Sequence, residues 1–174
     1  MRLLAILARL VLTIGLMYSG ASMLFAWLTT LIWNDSPSLP IGFYKQAHDG
    51  PIAGWCPAGP AAAQALQRNY RHAGICADGG QPLLKPIVAR YGDRVELDPE
   101  GIWVNSVLLR NSAPMVKDSA GRPLEHYPYG HYAVEPGQVW VISSHDRRSF
   151  DSRYFGPVQE AAIQGHYKPL WVSQ

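Results

Sequence analysis

Charge is scarce in this sequence. Only 16% of its 174 residues are Asp, Glu, Lys or Arg, and the net charge is +2 at pH 7. So small and diffuse a balance argues against nucleic acid as a partner. Cysteine is scarcer still, with Cys56 and Cys76 alone. A structural zinc site needs four ligands at characteristic spacings, and no such cluster occurs. No metal and no cofactor is expected. Internal repeats and low-complexity tails are also missing, so one domain with an appendage accounts for the length.

Charge is absent altogether from residues 10–33, "LVLTIGLMYSGASMLFAWLTTLIW". A run of roughly 24 residues is long enough to cross a bilayer core of about 30 Å. A cleaved signal peptide would carry a shorter apolar region, about 7–15 residues, and a small-residue cleavage site. Trp27 and Trp33 near the exit suit interfacial anchors. Arg2 and Arg9 precede the run, and the next basic residue is Lys45. The positive-inside rule then leaves the N-terminus in the cytoplasm. The expected division is a stub and transmembrane anchor over 1–33, with the lipid bilayer as partner, and an exterior domain over 34–174. Both cysteines fall in that exterior domain, where a disulfide persists.

The stretch "GPAAAQALQRNYRHAGIC", residues 59–76, reads as the one helix outside the membrane. Pro60 suits a first helical position, the alanines favour helix, and Gly74 can close it. A Cys56–Cys76 bridge would staple its two ends, worth about 3 kcal/mol on the chain-entropy model. From residue 83 the texture is short β-rich runs, broken by Tyr91-Gly92-Asp93, Asp98-Pro99-Glu100-Gly101 and Pro136-Gly137. "HYKPLWVSQ" reads as a last strand. The fold class expected is mainly β, a sandwich or barrel-like domain with one small inserted helix, preceded by a single transmembrane helix.

Three segments could carry chemistry, and each has a plainer reading. Ser36-Pro37-Ser38 is either a linker or a proline-fixed bend holding a nucleophile. Lys85 lies between Leu83-Leu84 and Ile87-Val88. It is either a lysine snorkelling from an edge strand or an amine whose desolvation makes it a base near neutral pH. "SFDSRYFGPV", residues 149–158, is either a polar turn or the group that orients such a lysine.

These blocks share a resemblance. "SFDSRYFGPV" resembles the "NSxDSRxWGxV" signature of type I signal peptidases. "LLKPIVARYGDRVEL" resembles the family's "KRVVAxxGDxV" block, and "SPSLPIGFY" resembles the "SxPxGxY" nucleophile block of the TraF-type branch from conjugative transfer systems. The "CPAG…PLLK" stretch is TraF-like as well. The resemblance implies a Ser/Lys dyad on a signal-peptidase-like β-rich fold. Ser38 matches the nucleophile, Lys85 the general base, and Ser36 a side-chain donor that completes an oxyanion hole with the Ser38 N–H. Ser149 matches the serine that hydrogen-bonds the lysine, and Asp151 and Arg153 match positions that brace the site. It implies a single-pass protein of the bacterial inner membrane with a periplasmic catalytic domain. The implied substrate is a membrane-inserted precursor, the pilin of a transfer system, released by hydrolysis or as a cyclic product. Other transfer-apparatus proteins are implied partners.

The departures point the same way. Leu39 replaces the Met that follows the nucleophile in housekeeping signal peptidases, Pro86 replaces a basic residue, and Ser143-Ser144-His145-Asp146 stands where they carry "GDNR". Two rival readings remain, a general signal peptidase and a non-catalytic domain that binds pilin. A Ser-His-Asp triad is disfavoured, because adjacent His145 and Asp146 would point to opposite faces of a strand. His126 and His131 read as a packed strand pair and not as metal ligands.

Overall fold

The computed structural model describes residues 2–173, with side chains from Arg9 onward. The Arg2 side chain invoked for orientation lies outside that set. The chain divides between Ile32 and Trp33 into two units.

The first unit is dominated by α1 (Arg2–Leu28). Its stretch Arg9–Leu28 has a mean hydropathy of 1.6, and none of it is buried inside the protein. A helix rises 1.5 Å per residue, so these residues span about 30 Å. This helix is long and apolar enough to cross a membrane. The hydroxyls of Thr13, Ser19 and Ser22 bond back to carbonyls three residues earlier, so they need no partner from the surroundings. The helix stops short of the end of the apolar run. Leu31–Asn34 is a strand, β1. Trp33, expected as a membrane-interface anchor, packs its ring near Phe43 at 4.9 Å and remains 55% exposed. Leu31-Ile32-Trp33 reads as apolar to any hydropathy window, but its β-branched and aromatic residues suit a strand.

The second unit is mainly β, as expected. Its strands are β2 (Gly42–Gln46), β3 (Ile52–Trp55), β4 (Leu83–Ala89), β5 (Arg94–Leu97), β6 (Ile102–Val104), β7 (Val107–Leu108), β8 (Gly130–Ala133), β9 (Gln138–Val141), β10 (Val158–Gln159) and β11 (Gly165–Val172). Seven strands form one sheet in the order β1-β2-β11-β3-β4-β9-β10, and four form a second, β7-β6-β5-β8. The anticipated turns fall where the sequence marks them. Gly92 and Gly137 take positive φ, 95° and 75°, between β4 and β5 and before β9.

β9 shows how the cores are divided. Its run Val139-Trp140-Val141-Ile142 has no polar position because both faces are covered. Trp140 and Ile142 pack with Ala89, Val95, Leu97, Ile102 and Val134, from both sheets. Val139 and Val141 pack with Ala53, Trp55 and Val158 on the other face.

The helix expected over 59–76 is shorter. It is α2 (Gly59–Gln67), with Pro60 in its first turn. Asn69 takes a left-handed φ of 58°. Its N–H bonds Leu66 O at 3.1 Å, and the Tyr70 N–H bonds Ala65 O at 2.8 Å. That pattern closes a helix with Asn in the place usually held by glycine. Gly74 does not cap it and pairs with Gly79 in the following loop. Buried Arg71 holds that loop through Asp78, at 2.6 and 3.2 Å, and Gln81 O at 2.8 Å. Two further short helices exist, α3 (Ser152–Phe155) and a 3₁₀ turn over Glu160–Ala162.

Cys56 and Cys76 form a disulfide across 20 residues, with Cα atoms 5.5 Å apart. It encloses α2 and the loop after it, so it pins the end of β3 to that loop and does not join the two ends of a helix. Replacing both cysteines by serine is expected to lower stability to urea by about 3 kcal/mol. An unchanged unfolding midpoint would mean that the loop is held without the bridge.

Candidate active site

The site is built on a bend. Ser36-Pro37-Ser38-Leu39 is a β-turn, closed by the Leu39 N–H on Ser36 O at 3.3 Å. Pro37 supplies the fixed φ that such a turn needs at its second position. Asn34, buried at the end of β1, sits underneath. Its amide donates to the carbonyls of Ser36, Leu39 and Pro40 at 2.9, 3.3 and 3.2 Å, and its oxygen accepts the Ser36 N–H at 3.3 Å. The buried Tyr44 hydroxyl donates to Pro40 O at 2.7 Å. The bend is therefore a rigid loop and not a linker.

Ser38 is 5% exposed and Lys85 is 4% exposed. Lys85 Nζ donates to Ser38 Oγ at 2.6 Å. Ser36 Oγ lies 2.9 Å from Ser38 Oγ and accepts the Ser38 N–H at 3.4 Å. The Ser36 hydroxyl and the Ser38 N–H thus converge beside the nucleophile candidate.

Lys85 is not on an edge. β4 pairs with β3 on one side, where Lys85 faces Ala53, and with β9 on the other. A snorkelling lysine is ruled out by its burial. Its amine is lowered from 10.5 to about 8 as the net of burial, which pushes it down, the Asp151 charge, which pulls it up, Arg153, which pushes it down, and Asp146, which pulls it up. Holding a proton there at pH 7 costs roughly 3 kcal/mol relative to water. The apolar neighbours supplying this desolvation are fewer than the sequence suggested. Leu83 and Ile87 pack into the core on Lys85's side of β4, whereas Val88 packs into the other core.

Asp151 and Arg153 are both 0% exposed. Arg153 Nε and Nη2 grip the Asp151 carboxylate at 2.8 Å each. The remaining guanidinium donors go to the carbonyls of Asn111 and Arg147 at 3.0 Å and Ser149 at 2.9 Å. All five donors of the guanidinium are satisfied, the condition for burying it. Asp151 also caps α3, accepting the Arg153 N–H at 3.3 Å.

The expected bond from Ser149 to Lys85 is not formed. Ser149 Oγ is buried without a hydrogen-bond partner, and its carbonyl is the group in use, on Arg153. Sequence reasoning missed Asn34 and gave no role to Tyr44, which ends the SxPxGxY block, or to Ser143. Ser143 Oγ donates to Ser38 O, and its N–H donates to Asp151 Oδ2 at 3.1 Å. Asn34 could have been noticed as an Asn leading into a Ser-Pro turn. Ser143 opens the stretch that stands where housekeeping enzymes carry "GDNR", but nothing local tied it to Ser38. The Asp146 carboxylate is taken by Arg148, at 2.8 Å to its N–H. His126 and His131 are not a strand pair: His126 stacks on Tyr129 in the loop before β8, and His131 on β8 lies 3.5 Å from Glu96.

With this geometry in place, family membership follows from comparison. The chain belongs to the signal peptidase family, peptidase S26, whose family model matches residues 3–171. Among its relatives is a plasmid transfer protein TraF of Escherichia coli, 33% identical over 142 residues, covering 79% of this chain and 80% of that protein. A conjugal transfer protein TraF of Agrobacterium fabrum is 30% identical over 165 residues, with 91% of each chain covered. Signal peptidase I of Enterococcus faecalis is a structural neighbour at a TM-score of 0.36 and 21% identity, covering 70% of this chain and 97% of its own.

If neutral Lys85 is the working base, processing should rise with pH through a midpoint near about 8 and not through the ordinary lysine range. Lys85→Arg should be inactive at every pH, since a guanidinium stays charged. An active Arg variant would remove Lys85 from the chemistry.

Proposed function

We propose that the chain is a membrane-anchored serine endopeptidase that matures an exported precursor, the pilin of a conjugative transfer system. Ser38 is its nucleophile and Lys85 its general base. The buried 2.6 Å contact between Lys85 Nζ, on β4, and Ser38 Oγ, on the proline bend, carries this reading. The transfer-protein names of its relatives support the substrate class.

In the reaction, Ser38 Oγ attacks the scissile carbonyl carbon while neutral Lys85 takes the hydroxyl proton. Charge develops on the carbonyl oxygen, where the Ser38 N–H and the Ser36 hydroxyl receive it. The C–N bond then breaks, and Lys85 returns the proton to the leaving amine. The acyl group on Ser38 passes next either to water or to an amine of the same substrate. The first route gives a linear product and the second a cyclic one, lighter by one water. The membrane-spanning candidate helix and the disulfide support an inner-membrane anchor with the N-terminus in the cytoplasm and the peptidase domain in the periplasm. The family match also favours a second reading, removal of ordinary signal peptides.

Co-expression with pilin precursors and with a signal-peptide precursor, followed by mass measurement of products, separates the readings. Ser38→Ala should abolish processing with expression and membrane insertion intact. Ser36→Ala should slow it roughly 10²–10³-fold. Full processing by the Ser38→Ala protein would sink the assignment.

A further inference from the structure

The nucleophile candidate is held at two points, and only one of them is its side chain. Lys85 grips Ser38 Oγ at 2.6 Å. Ser143, 0% exposed and just beyond β9, grips the Ser38 main-chain carbonyl. The Ser143 hydroxyl also accepts the His145 N–H at 3.2 Å. A serine hydroxyl has a single proton, so an N–H directed at its oxygen leaves that proton for Ser38. On its main-chain side, Ser143 N–H donates to Asp151 Oδ2 at 3.1 Å. That carboxylate is itself clamped by Arg153 at 2.8 Å.

Among the described residues, the other hydrogen bonds of residues 36–40 come from the turn itself, from Asn34 or from Tyr44. Both of those residues flank the loop in sequence, Asn34 at the end of β1 and Tyr44 in β2. Among the described residues, Lys85 on β4 and Ser143 just after β9 are the two that hydrogen-bond the bend from elsewhere in the domain, and they do so at one residue.

Resting on the peptidase reading above, we propose that Ser143 is a positioning residue for the nucleophile. It fixes the Ser38 carbonyl to the Asp151–Arg153 pair and so sets Ser38 Oγ against the Lys85 amine. Asp151 and Arg153 then act on the reaction through the Ser38 main chain, beyond their charge near Lys85. The path runs from guanidinium to carboxylate to the Ser143 N–H, and from the Ser143 hydroxyl to the Ser38 carbonyl. Without the hydroxyl, the Ser38 carbonyl loses a buried partner and the bend can tilt. A misplacement of about 1 Å at a reacting atom reduces rate by around 10².

The test uses the full chain in phospholipid vesicles with a purified pilin precursor as probe. Rates are normalised to folded protein, taken from the thermal unfolding curve of each variant. Ser143→Ala should lower kcat roughly 10²-fold with KM changed less than about threefold, the pattern of a lost transition-state arrangement. The pH midpoint of kcat should stay where the wild type has it, because Lys85 remains buried in β4. Ser143→Thr, which keeps the hydroxyl, should recover most of the loss. A Ser143→Ala kcat within threefold of wild type per folded molecule overturns the proposal. So does a loss that the unfolded fraction fully explains, or a threonine variant that folds and is as slow as alanine. A wild type that leaves both the pilin precursors and a signal-peptide precursor intact overturns the peptidase reading first, and this inference with it.

Discussion

The short hydrogen bond between Lys85 and Ser38 is the constraint on which the rest of the architecture depends. An amine placed in water at neutral pH is charged and useless as a base. An amine placed in an apolar interior gives up its proton more readily but needs somewhere to direct its donors. Lys85 resolves this by rising from an interior strand among Ala53, Leu83 and Ile87 and ending on Ser38 Oγ at 2.6 Å. The strand order follows from that need. β4 must be flanked on both sides, so β3 and β9 cover it, and β9 in turn must be apolar on both faces.

A buried base also needs a fixed partner, and the protein supplies rigidity from two directions. Proline and Asn34 stiffen the bend from within. The Asp151–Arg153 pair, at the start of α3, accepts the Ser143 N–H, and the Ser143 hydroxyl in turn bonds the Ser38 carbonyl. Ion pairs without solvent are stable only when every donor and acceptor is used. That condition explains why carbonyls as distant in sequence as Asn111 and Arg147 converge on one guanidinium. The pair is a structural knot whose position beside Lys85 also tunes the amine, the carboxylate raising and the guanidinium lowering its proton affinity.

Much of this was legible in the sequence, for identifiable reasons. Turns with glycine and proline fixed the strand boundaries, since positive φ and a missing N–H leave few alternatives. The blocks holding Ser38, Lys85 and Asp151 were visible because their spacing resembles a family pattern. Three features were not legible. Asn69 ends α2 through a left-handed conformation that helix propensity does not weigh. Leu31-Ile32-Trp33 is apolar in either role, so only its pairing with the sheet shows it to be a strand. Ser143 acts on the main-chain carbonyl of Ser38, 105 residues away in sequence, and no local pattern announces such a bond. Ser149 failed in the opposite sense: the pattern fits, but its carbonyl rather than its hydroxyl is the group in use.

The central claim is that burial lowers the Lys85 amine enough to give a substantial neutral fraction near pH 8, and that this neutral form makes Ser38 reactive. Direct titration of the Lys85 side-chain nitrogen by NMR, in protein labelled at lysine, tests it without any substrate. The account predicts a midpoint near about 8, with Lys85 set apart from the exposed lysines. A midpoint at the ordinary lysine value of about 10.4 would contradict it, leaving Ser38 without a base at neutral pH.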